Sequence, residues 1–285
     1  MSEYRTHNWM AATPAIDVLP LPRLSLPGTH NAGCDWKASY PLIPGAHWLA
    51  CQHRSFYEQL SNGSRALDLR LICNGHPQEL AQYRFQHNDY LSSRHLENLF
   101  NDVNRFLSEN PDEFIIFDFH ELRNGKQAFD FAYFSRMLLK HLDGRIIPSA
   151  NHALTLGNLK HAGPRQRIML KAERRQELDR DWFGPKINHH WIGTSTPSAD
   201  DLQKFISEQL KSPPYPHEPW SLSAASYSAV GGPVDIHSDL DKWFDPARSD
   251  WAEKCGIINA DFIEESRLVE FCRAANLAKA RKHGA

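Results

Sequence analysis

Two histidines in this chain are spaced for acid–base chemistry on a phosphodiester. His30 follows Ser25-Leu26-Pro27-Gly28-Thr29, and His87 sits within Phe85-Gln86-His87-Asn88-Asp89-Tyr90-Leu91. Between them runs Gly63-Ser64-Arg65-Ala66-Leu67-Asp68-Leu69-Arg70, which reads as a strand. Residues two apart on a strand share a face, so Asp68 and Arg70 point the same way. One imidazole can take a proton and the other can give one, while a guanidinium holds a phosphate through paired hydrogen bonds. A histidine standing alone reads more simply as a cap or core-edge residue. Two of them, each directly after a strand and flanking Arg70, weaken that simpler reading.

The elements that must position these groups alternate. Leu24 to Leu26 reads as the first strand, Ser55 to Asn62 as a short helix and Ala66 to Leu71 as the second strand. Leu96, Leu99, Val103, Phe106 and Leu107 recur at helical spacing, so 93–109 is expected to be an amphipathic helix stopped by Asn110-Pro111. Phe114 to Phe119 is too densely apolar for a half-exposed strand and reads as a buried one. A helix from Phe129 to Leu142, a strand from Arg167 to Lys171 and a helix from Ala199 to Leu210 follow. Strands are also expected at Trp191 to Gly193, Trp220 to Ser226 and Gly256 to Phe262, with a final helix over 265–281. Such alternation predicts a parallel sheet. At this length, with seven or eight units, a barrel is favoured over an open sheet. No G-x-G-x-x-G turn follows the first strand, which argues against a dinucleotide-binding fold.

Composition bounds the alternatives. The chain has 285 residues, 41% hydrophobic and 23% charged, enough to bury a sizeable core in one domain over 1–285. A formal net charge of −2 disfavours nucleic acid as a partner. Five cysteines without a C-x-x-C pair argue against a disulfide scaffold or a structural zinc site. No signal-peptide-like or membrane-spanning run is evident, so a cytoplasmic monomer is expected, or one exported by a route without a signal peptide.

The run Ser25 to Asn31, then Gln59-Leu60, Gly63, Arg65, Asp68 and Arg70, then His87, resembles the X domain of phosphatidylinositol-specific phospholipase C. The bacterial and X-domain-only forms are the more similar kin. Phe106 to Phe119 and Gly256 to Phe262 are also similar to that family; the match is specific over 24–121, loose over 145–235, and confined to one strand at the end. The resemblance implies an α/β fold, a distorted TIM barrel, forming a single X-like catalytic domain. It implies that His30 takes the proton of the inositol 2-hydroxyl, whose oxygen attacks phosphorus. His87 protonates the departing diacylglycerol oxygen, leaving a cyclic inositol phosphate. Arg70 offsets phosphate charge and Asp261 orients His30, as the carboxylate does in a triad. Asp68 pairs with Arg70 or a histidine; a plain salt bridge is an equally good reading.

Two departures from the family pattern stand out. Asn31 occupies a position where the bacterial enzymes often carry Asp, and it is a weaker partner for a cation. Arg70 stands where calcium-dependent relatives carry a second acid, so the site is expected to need no metal or other cofactor. Asn31, His120, Lys171 and Tyr227 are candidate substrate contacts. His120 is as readily a solvated strand end, Lys171 a solvated lysine, and Tyr227 the nearest candidate for an aromatic against the inositol ring. The expected partners are an inositol phospholipid and the membrane surface that presents it. Trp36, Tyr40, Leu42, Ile43 and Trp48 either contact that surface or pack beneath their own loop. Trp220, Trp243 and Trp251 are expected to pack in the core. The competing functions are a magnesium-dependent glycerophosphodiesterase or sphingomyelinase D on the same barrel, and an inactive head-group-binding module.

Overall fold

Alternation along the strands sorts the side chains into two layers. In β1 (Leu26–Thr29), β2 (Ala66–Cys73) and their neighbours, one face meets helices and the other faces the barrel interior. Leu67, Leu69 and Leu71 of β2 join the apolar layer under the helices, whereas Asp68 and Arg70 point the opposite way. The computed structural model describes residues 4–41, 45–214 and 218–283. Its elements continue with helix α1 (Phe56–Ser61) ahead of β2, then the hairpin β3 (Tyr83–His87) and β4 (Tyr90–His95), and α2 (Leu96–Glu109). Next come β5 (Ile115–Asn124), α3 (Phe131–His141), α4 (Leu156–Ala162), β6 (Ile168–Ala172), β7 (Phe183–Pro185) and β8 (Asn188–His190). After α5 (Ala199–Gln209) the chain forms β9 (Trp220–Ser223) and a small hairpin, β10 (Ser226–Ser228) with β11 (Gly232–Val234). It ends with α6 (His237–Phe244), α7 (Trp251–Lys254), β12 (Ile257–Ala260) and α8 (Leu268–His283).

Eight strands form a curled parallel sheet in the order β7-β6-β5-β2-β1-β12-β9-β8. Within it β7 and β8 stand at opposite ends and do not pair, so the α/β barrel is distorted and open there. Parallel strands bring their C-terminal ends to one rim, where barrel enzymes place their chemistry. α2 and α3 pack on the outside of β2, β5 and β6, and α5, α6 and α8 cover β9 and β12. The N-terminal stretch from Trp9 to Leu24 packs with Ala66, Ile116, Met169 and Ile257 in a separate core cluster. Trp220 and Trp243 are buried in the core, and Trp251 packs against it.

Three sequence expectations need correction. His87 does not directly follow a barrel strand: it is the last residue of β3, which runs antiparallel to β2 and ends at a hairpin. Asn88 and Asp89 both have left-handed backbones (φ 51° and 70°), which makes the two-residue turn that β-hairpins favour. Trp191 to Gly193 is not a strand; the strand precedes it as β8. The first strand lies two residues later than expected at its start, so Thr29 ends it and His30 emerges directly onto the rim.

Candidate active site

The rim holds a cleft of about 400 Å³ lined by His30, Arg70, His87, His120, His189, Trp191, Tyr227 and Asp261, among others. His30 follows β1 and Asp261 follows β12, the strand paired with it, so parallel register alone brings them together. His30 Nδ1 lies 2.8 Å from Asp261 Oδ1. Gln52, a buried residue, ties these strand ends by donating Nε2–H to the carbonyls of His30 and Ala260, each at 3.0 Å.

The His87 ring stands edge-on to His30 with centroids 6.1 Å apart. Its Nδ1 donates to the Leu49 carbonyl at 2.9 Å, which sets the tautomer and leaves Nε2 for the cleft. Burial first, and the neighbouring His30 second, push His87 down to about 4. Among the described residues no carboxylate partners it: Asn31, the residue in question, has its amide buried without a hydrogen-bond partner. Asn31 instead takes a left-handed backbone (φ 47°) and donates its backbone N–H to Asp68 Oδ2 at 3.1 Å.

Asp68 and Arg70 form the salt bridge that their shared face predicts. Arg70 donates through Nε to Asp68 Oδ1 at 3.1 Å and through NH2 to Oδ2 at 2.8 Å. Burial alone would raise the Asp68 carboxyl, but the Arg70 guanidinium, His120 and His30 together outweigh it and hold the carboxyl far below the usual range. Asp68 thereby keeps Arg70 charged and fixes its plane, and the guanidinium lines the cleft.

His120 and Tyr227 also reach the cleft. The His120 ring is 4.8 Å from that of His189, and its Nδ1 is buried without a partner. Tyr227 stands edge-on to His87 at 6.0 Å and donates its hydroxyl to the Trp48 carbonyl at 2.6 Å. Lys171 does not join them. Its ammonium is buried and ion-paired with Glu218, outside the residues lining the cleft, because its strand position points it toward Gly184 and His152.

The aromatic loop divides. Trp36 is 43% exposed, but Tyr40 is buried with Cys34, Ala38 and Leu49 and donates to the Asp35 carbonyl at 3.0 Å. Tyr40 is therefore packed beneath the loop and offers no surface. Trp48 is half-buried and donates its indole N–H to the Val230 carbonyl at 2.5 Å. Leu42 and Ile43 lie outside the described residues. Two exposed apolar groups that sequence reading missed stand near this mouth: Trp191 at 53% and Val230, at the β10–β11 turn, at 84% exposure.

Sequence reading also missed His189 and Asp118. His189 sits in β8, too short a strand to show periodicity, and its Nδ1 lies 2.7 Å from Ser221 Oγ. Asp118 is hidden inside an apolar run, paired in register with Asp68, and both its carboxyl oxygens are buried without partners. Its even spacing from Ile116 and His120 on an inward face was the available clue. As for metals, the one group of three or more donors among the described residues is His30, Cys51 and Asp261.

With fold and site in place, the comparisons define a class. The phosphatidylinositol-specific phospholipase C from Listeria monocytogenes superposes with a TM-score of 0.71 at 20% identity, covering 95% of this chain and 99% of that one. A variant of the corresponding Staphylococcus aureus protein gives 0.71 at 15% identity, covering 93% and 97%. The barrel is thus the fold of the bacterial phosphatidylinositol-specific phospholipases C. No family model matches the chain. Among curated proteins, PI-PLC X domain-containing protein 2 of Mus musculus is 24% identical over 95% of this chain and 86% of its own length. PI-PLC X domain-containing protein 3 of Mus musculus is 23% identical over 92% and 91%. The resemblance to the X-domain family, read above from the motifs, is borne out.

Proposed function

We propose that this chain is a phosphodiesterase that cleaves phosphatidylinositol, or a related inositol phospholipid, to diacylglycerol and a cyclic inositol phosphate. One observation carries the reading: the His30–Asp261 pair and His87 face one cleft across 6.1 Å, and Arg70 lines the same cleft. Asp261 at Nδ1 leaves His30 Nε2 free to take the 2-hydroxyl proton, and it steadies the imidazolium that forms. The hydroxyl oxygen attacks phosphorus, and the bond from phosphorus to the glycerol oxygen breaks. His87 gives that oxygen a proton through Nε2. In the empty cleft His87 is neutral near neutral pH; the phosphodiester's negative charge beside it favours its protonated form. Arg70, oriented by Asp68 through Nε and NH2, takes the non-bridging oxygens through its remaining N–H donors. His120 and Tyr227, which line the cleft, meet the head group in this reading, and catalysis needs no metal because a guanidinium stands where a second acid would be required.

The lipid is met at a membrane surface by the exposed Trp36, Trp191 and Val230, with Trp191 lining the cleft and Trp48 bracing the Val230 turn. No helix among the described residues is long and apolar enough to cross a membrane, in keeping with a peripheral encounter. The similarity to phosphatidylinositol-specific phospholipases C, under 25% in identity, supports the substrate kind. Phosphorus NMR of products from phosphatidylinositol micelles tests the reading. A cyclic phosphate resonance is the expected product, and only an acyclic phosphomonoester or no turnover would sink it.

A further inference from the structure

Behind the two imidazoles lies a thiol that the proposed reaction does not use. Cys51 is fully buried, with Sγ 3.6 Å from His87 Nδ1 and 3.6 Å from the Leu49 carbonyl oxygen. Its backbone is fixed on both sides: its N–H donates to the Cys34 carbonyl at 2.9 Å, and its carbonyl accepts from Phe262 N–H at 2.9 Å. The second bond seats it against the residue following Asp261. A ring nitrogen of His30, the Cys51 sulfur and a carboxylate oxygen of Asp261 all lie within 4.8 Å of one another.

We propose that these three side chains bind a thiophilic divalent cation of the zinc class, and that the bound ion switches the enzyme off. Imidazole, thiolate and carboxylate are the donors such an ion selects, whereas calcium and magnesium require shells of oxygen that one carboxylate does not supply. Bonds of about 2.0–2.3 Å in a tetrahedron hold ligands roughly 3.5 Å apart, so a spacing within 4.8 Å closes by roughly 1.3 Å at most. His30 and Asp261 both line the cleft, so the fourth position opens onto it. Charge balances as well. The Cys51 thiol releases its proton to solvent as the sulfur–metal bond forms, and the dication then meets two anions, thiolate and carboxylate. Arg70 adds no net repulsion because Asp68 already neutralises it. No electrons are transferred. Binding replaces the His30–Asp261 hydrogen bond and so removes the base and its orienting carboxylate together. The inhibition rests on the function proposed above; the binding does not.

Cobalt(II) in the metal-free full-length protein provides the probe, because a cysteine thiolate on cobalt gives a near-ultraviolet charge-transfer band. One equivalent should produce the band, and zinc should displace it. Cys51→Ser should abolish the band, while Cys34→Ser, a neighbouring buried thiol, should keep it. Asp261→Asn should retain the band but weaken cobalt affinity by at least about 10-fold, the loss that even an outer metal partner produces. Zinc should inhibit turnover of a soluble inositol phosphodiester, and the inhibition constant should rise by the same factor in Cys51→Ser. Absence of a band in the wild type, or a band that survives Cys51→Ser, would overturn the site. If Cys51→Ser loses its circular dichroism spectrum, the Asp261→Asn affinity decides. A protein that binds cobalt as described yet turns over no substrate would sink the proposed function and leave the metal site standing.

Discussion

His30 and His87 have different surroundings, and the difference predicts different behaviour when each is removed. His30 has a carboxylate at Nδ1, while His87 has a backbone carbonyl and the Cys51 sulfur there. His30→Ala and His87→Ala should each lower turnover of a soluble inositol phosphodiester by about 10²- to 10⁴-fold, the usual worth of a general acid or base. Their circular dichroism should stay that of the parent. A substrate with a more acidic leaving group should restore His87→Ala more than His30→Ala, because only the acid's task becomes easier. Equal restoration in both would mean the roles are misassigned. Arg70 permits a second test. Its two bonds to Asp68 come from one planar fork, which an ammonium cannot copy. Arg70→Lys should therefore lose most activity despite keeping its charge, while chelator leaves the wild-type rate intact. Activity abolished by EDTA and restored by calcium would overturn the metal-free reading.

Each rim element is positioned by a local fit that single residues control. The loop carrying His30 lies against β3 because position 33 has no side chain: a Cβ on Gly33 would sit 2.1 Å from Phe85 Cγ. Phe85 is fully buried, packs on Phe56 at 5.0 Å, and lies two residues before His87. Gly33→Ala should cost about 1–3 kcal/mol by overpacking, lower the thermal midpoint and reduce turnover through displacement of His87. Phe85→Leu in the same chain should recover part of both losses; an unchanged midpoint in Gly33→Ala alone would refute the fit. The cleft mouth has its own prediction. Trp36→Ala with Trp191→Ala should weaken vesicle binding and lipid cleavage while leaving soluble-substrate turnover nearly unchanged. Equal losses on both substrates would mean these rings shape the cleft instead. Legibility from sequence follows the same divide between elements. Long periodic segments such as α2 and dense apolar ones such as β5 announced themselves, because one buried face repeats many times. Asp68, Arg70, His30 and His120 could be placed on the rim from strand periodicity and strand ends. His189 and the Val230 turn could not, because strands of three residues carry no period. Lys171 was expected at the substrate because it ends a barrel strand, whereas its side chain is buried, paired with Glu218 and absent from the cleft lining.

At the scale of the whole molecule, stability is coupled to protons because the barrel and its rim hold titratable groups largely withdrawn from water. Burial first, with Lys171 second, holds His152 down to about 4, and burial holds His189 down to about 3. Unfolded, both histidines take protons near 6.5, so the unfolded chain binds more protons across that window and stability falls as pH drops through it. Asp118 acts in the opposite sense. Burial first, and the adjacent Asp68 second, raise its carboxyl well above 3.8, against the pull of Arg70 and Lys186. The native carboxyl keeps its proton where the unfolded one loses it, so the native state binds more protons and stability declines as pH rises above 3.8. Asparagine has nearly the same shape and no proton to lose. Asp118→Asn should therefore raise the thermal midpoint at about pH 7, with the gain shrinking as pH falls toward 3.8 and vanishing only below about pH 3, where both states are protonated. Thermal unfolding followed across this range reads the effect directly. A variant less stable than the parent at neutral pH would show that Asp118 is ionised and held by a cation. The predicted gain would mean that placing two carboxyls side by side under Arg70 costs the fold stability.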